Sequence, residues 1–122
     1  MATTNVPPQV AAAIPNITAA TKANATQATA NANLGQGVNV SSNLTRTNAA
    51  ANTAVNNYQA AANKLNVAAS NETSMSRKNK LMRAANAFSR AAVSSAANQP
   101  TNAANHANRG IKNLQTLLAP SR

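Results

Sequence analysis

The sequence predicts a mainly α protein: an extended low-complexity N-terminal arm followed by three short amphipathic helices, ordered by assembly rather than by an independent globular core. Three observations lead there. From residue 45 onward, apolar side chains recur at alternating steps of four and three, as on one face of a helix. Before residue 45 no such stripe of large apolar residues is visible. Hydrophobic residues make up 43% of the 122-residue chain, yet more than half of them are alanine, with one Phe, one Tyr and no Trp. Ordering backbone costs about 1–2 kcal/mol per residue, while burial returns roughly 25 cal/mol per Å² of apolar surface. A chain so short of large apolar side chains is expected to order against neighbours.

The arm covers residues 1–44. Pro7, Pro8 and Pro15 favour an extended path through residues 1–16, with the patch Val10 to Ile14 as an anchor. Residues 17–33 hold Ala, Thr and Asn and, apart from Ile17, no large apolar side chain, so either helix or extended chain is compatible with them. Gly35 and Gly37 then form a flexible joint, and Val38 and Val40 alternate with polar residues like a short strand. This G-x-G lacks the further residues of a nucleotide loop.

The helical region covers residues 45–118. A first helix is expected at about 47–69, capped by Thr45 or Thr47, with Ala51, Val55, Tyr58, Ala62, Leu65 and Ala69 as its seam. Ser74 or Ser76 caps a second, at about 77–97, whose apolar side carries Leu81, Met82, Ala85, Phe88 and Ala92. Asn98-Gln99-Pro100 ends it. The third, at about 101–118, starts from Thr101 and bears Ala104, Ala107, Ile111, Leu114 and Leu118. Gly110 inside it costs about 1 kcal/mol against alanine and allows a tight crossing. Residues 119–122 form a tail. Val55, Tyr58, Leu65, Leu81, Met82, Phe88, Ile111, Leu114 and Leu118 are the candidates for seam packing or a subunit interface.

Charge is the chain's strongest functional signal. Eleven Lys or Arg face one acid, Glu72, for a net charge of +10. That balance implies an anionic partner: nucleic acid, an acidic protein surface or anionic lipid. Arg77, Lys78, Lys80, Arg83 and Arg90 gather on the second helix, opposite its apolar side. Cations near a helix start oppose its dipole, and a phosphate backbone would repay that cost without reading sequence. Arg109 and Lys112 lie toward a helix end, where the dipole also favours positive charge, so a structural role and an anionic partner account for them equally well.

Nothing in the sequence suggests catalysis. With one carboxylate, one histidine and no thiol, acid–base, nucleophilic and metal sites have no converging set of groups, and no cofactor or metal is expected. His106 reads as a partly exposed polar residue. Tyr58 and Phe88 fall on seams, where packing rather than base stacking accounts for them. The sequence has no apolar run long enough to span a membrane, and its start does not read as a signal peptide. The N-x-[ST] matches follow from the abundance of Asn and Thr.

These features together lead to an expectation of a structural component of a multi-subunit particle. The expected role is a minor or internal virion protein, present in host cytoplasm before assembly, that bridges other protein subunits and packaged nucleic acid. In composition alone, the Ala/Asn-rich, Cys-free helical chain resembles small internal or ejection-type proteins of tailed bacteriophages. A nucleoid-type protein coating DNA without sequence preference is the first alternative, and an adaptor docking an acidic protein surface is the second.

Overall fold

The computed structural model describes residues 6–118, which form four α-helices and no strand. They are α1 (Pro8–Gly35), α2 (Val40–Asn71), α3 (Met75–Ala96) and α4 (Pro100–Leu118). Each packs antiparallel on the next, and α4 returns to α1, so the order around the bundle is α1, α2, α3, α4. Short connections make this up-and-down arrangement the natural one. The α1–α4 edge is the loosest of the four.

The mainly α expectation holds, but the extended arm does not: most of it is α1, a fourth helix. Proline is tolerated at the first helical position because its missing N–H would be unpaired there anyway, and Pro8 occupies that position. Pro15 sits farther in and is accommodated. The buried stripe of α1 runs Val10, Ala13, Ile17, Ala20, Asn24, Gln27 and Ala30. Its spacing is helical, but its second half is small or amide-bearing, and packing supplies what weak propensity lacks.

The joint at 35–40 is a helix stop rather than a hinge into a strand. The N–H groups of Gly37 and Val38 donate to the carbonyls of Leu34 and Asn33. With Gly37 at φ +69, this is a Schellman motif. The second helix therefore begins at Val40, not near residue 47, and neither Thr45 nor Thr47 caps it. Thr47 is buried instead and donates to Asn31 Oδ1 at 2.9 Å. Ser74 does cap α3, accepting from the Arg77 N–H. Thr101 lies inside α4, which opens at Pro100. The 119–122 tail and the first five residues of the arm lie outside the described residues.

A continuous core joins all four helices, with Val10 and Ile17 from α1 completing it. The chain thus closes a core from its own residues, which corrects the expectation of order only through assembly. Tyr58, Leu65, Leu81 and Phe88 are fully buried at its centre, and alanines fill most other positions. Small side chains at a helix contact let the axes approach closely. Gly110 is the tightest point: a Cβ there would lie 2.7 Å from Phe88 Cζ. With that contact, Ala103, Gly110 and Leu117 are buried beside the expected Ala107 and Leu114, while Ile111 and Leu118 pack at the edge.

Tyr58 and Phe88 stack at 6.2 Å between ring centroids. The Tyr58 hydroxyl has no partner, and burial pushes it up from 10.0 to about 12. An unfolded tyrosine ionises first as pH rises, so stability falls between those values by about 1.4 kcal/mol per pH unit. Tyr58→Phe should remove that alkaline loss. At neutral pH it should leave stability unchanged or raise it by about 1 kcal/mol, since an unpaired buried hydroxyl is costly. Tyrosinate absorbance of the single tyrosine, alongside unfolding curves at neutral and alkaline pH, checks both.

A candidate nucleic-acid interface

The expected basic cluster divides in two. At the start of α3, Arg77 is engaged: its Nε donates to Glu72 Oε2 at 3.1 Å and its Nη1 to the Leu117 carbonyl at 3.3 Å. It thereby ties the α2–α3 turn to the end of α4. Glu72 is held below the ordinary carboxylate range by the Ser74 N–H first, then by the Arg77 side chain. The chain's one acid is therefore already committed. Lys78 and Lys80 lie half-buried on the same turns of α3.

Arg83 and Arg90 are exposed farther along. Seven residues apart, they stand on one helix face about two turns from each other. Both line a groove between α3 and α4, together with Asn86, His106, Arg109 and Asn113. Arg109 did not belong to the sequence cluster, because it sits on another helix. The Phe88–Gly110 contact sets the α3–α4 register, and Arg109, one residue before Gly110, is thereby brought opposite Arg83 and Arg90. Gly110 was the only sequence signal that could have led to it. His106 contributes a ring to the same groove.

Arginine offers a planar fork of N–H donors at every accessible pH. Three such groups beside two asparagine amides suit phosphate oxygens. No carboxylate lines the groove, and the described residues contain no cluster of metal-ligating side chains.

The seam candidates are distributed as follows. Tyr58, Leu65, Leu81, Phe88 and Leu114 are buried, while Val55, Ile111 and Leu118 pack partly buried against the core. Met82 is 51% exposed and lines an amide-rich groove between α2 and α3 with Asn66, Asn79 and Asn86. On the opposite edge, Ile14, Ile17, Ile111, Leu114 and Leu118 line an apolar groove between α1 and α4. Both aromatics are buried, so neither offers a surface for base stacking. No helix among the described residues is long and apolar enough to cross a membrane. Comparison of the chain with protein-family models, with curated proteins and with solved structures finds no match.

Proposed function

We propose that this chain is a structural, non-catalytic protein of a multi-subunit nucleoprotein particle, of the minor or internal virion type. It meets packaged nucleic acid through the basic α3–α4 groove. The observation that carries this reading is the convergence of Arg83, Arg90 and Arg109 on a groove without a carboxylate, while Glu72 is taken by Arg77. Such a surface binds phosphate backbone by charge, independently of base sequence. The apolar α1–α4 groove, with Ile111, Leu114 and Leu118, supports contact with protein subunits. The net charge of +10 supports a place next to packaged genome. Host cytoplasm is the site of the protein before assembly.

A second reading is a free protein that coats duplex DNA, and the self-contained core favours it. Titration of the purified chain with duplex DNA over a range of salt tests the surface common to both. The replacement Arg83→Gln, Arg90→Gln, Arg109→Gln should weaken binding about tenfold or more and flatten the salt slope by roughly 2–3. Helicity should be unchanged, since all three side chains lie at the surface. An unchanged slope would sink the assignment. Co-sedimentation of the protein with particles separates the two readings. Retention in particles after nuclease treatment, with no affinity for free DNA, would instead favour an adaptor on acidic protein.

A further inference from the structure

Lys22 on α1 and Arg46 on α2 are both exposed and flank a second groove, floored by Ala23 and Ala50 with Thr26 and Thr53 at its rim. No carboxylate lines it. In a ring ordered α1, α2, α3, α4, the α1–α2 groove lies diagonally across from the α3–α4 groove. Of the grooves between them, the α1–α4 groove is apolar and uncharged, and the α2–α3 groove is mainly amide-lined, with Arg83 at the flank it shares with the α3–α4 groove. The two basic grooves are thus set back to back.

We infer that the α1–α2 groove is a second site for nucleic-acid phosphate backbone, so that one chain bridges two duplex segments. The inference rests on the reading of the α3–α4 groove above and extends it. Lys22 and Arg46 face the same space with like charge and no acid between them, an arrangement that an external anion relieves. Arg46 gives one N–H to Asn43 Oδ1 at 3.3 Å, which leaves most of its five donors for a ligand. The alanine floor lets a phosphate chain come close to the helices, and the Thr53 hydroxyl is a suitable donor to it, that of Thr26 being given to the Lys22 carbonyl. A duplex suits these grooves better than a single strand, because Tyr58 and Phe88 are both buried and only the single ring of His106 lines either groove. Two helix diameters, roughly 20 Å, separate the flanks. That exceeds the Debye length of about 8 Å at physiological salt, so two bound duplexes repel each other little.

The test is capture of a labelled short duplex by bead-bound duplex in the presence of the full chain, with the chain's mass followed by sedimentation. Wild type is expected to be retained on the beads, to capture labelled duplex, and to take up two short duplexes per chain in free titration. Lys22→Gln with Arg46→Gln should lower capture about tenfold and reduce the uptake to one. Retention of wild-type chain without capture, or capture by the double variant equal to wild type, overturns bridging and leaves the α3–α4 reading standing. Capture that tracks a dimer rather than a single chain overturns it too. Failure of wild type to stay on the beads at all overturns both.

Discussion

Phe88→Ala is expected to destabilise the bundle by about 3–5 kcal/mol, the range for removing a large buried aromatic. Against a typical total of about 5–15 kcal/mol, that is a large share. The ring is fully buried, stacked on Tyr58 on one side and pressed against Gly110 on another. Its surroundings are unusually poor in side chains that could swing into the void, because most neighbouring core positions are alanine. An alanine cannot extend, so the hole closes only if helices move. Denaturant unfolding monitored by helicity measures the loss. Phe88→Leu should fall between the two and keeps the measurement possible if the alanine variant does not fold. A loss below about 1 kcal/mol for Phe88→Ala would mean that the ring is not the wedge described here.

Asn98→Ala is expected to cost about 2–4 kcal/mol, and Asn98→Gly clearly less. Asn98 ends α3 with φ +58, its N–H donating to the Ser95 carbonyl and that of Gln99 to Ser94. This is a Schellman stop with asparagine where glycine is usual. A left-handed alanine costs roughly 1–2 kcal/mol, which glycine avoids. Both variants lose the side chain whose Oδ1 accepts from Gln27 at 3.0 Å and Asn31 at 2.9 Å. Gln27 is fully buried, and its Oε1 already lacks a partner. Its Nε2 would keep only the Ser95 carbonyl. Leaving buried donors short of acceptors costs about 1–3 kcal/mol. Denaturation midpoints of the two variants separate the backbone part from the side-chain part. Equal losses would remove the backbone argument.

The same polar layer explains why the first helix was not legible in the sequence. Asn24 donates to the Pro100 carbonyl at 2.8 Å and accepts from Ser95 Oγ at 3.0 Å. Read alone, Asn24, Gln27 and Asn31 are polar residues in a weak helix-forming stretch. Their partners lie about seventy residues away, and no local pattern announces them. The three later helices were legible because Tyr58, Leu65, Leu81, Phe88 and Leu114 mark their faces with large side chains. On α4, Ala107 and Leu114 lie on the buried face as their spacing predicts, while Ala103, Gly110 and Leu117 take the places expected of Ala104, Ile111 and Leu118, since a glycine fills the crossing point. Of the candidate site, Arg83 and Arg90 followed from helical spacing. Arg109 needed the register between two helices, and the engagement of Arg77 needed the turn at Glu72.

The connections between successive helices are only a few residues long, and each helix packs mainly on its neighbours in sequence. Such low contact order places a bundle among the quick folders, in the microsecond-to-millisecond range. The loose α1–α4 edge and the polar layer that ties Asn24, Gln27 and Asn31 to Ser95 and Asn98 join distant parts of the chain, and little loop entropy delays the rest. A newly made copy can therefore present its finished surface well before it meets any larger assembly.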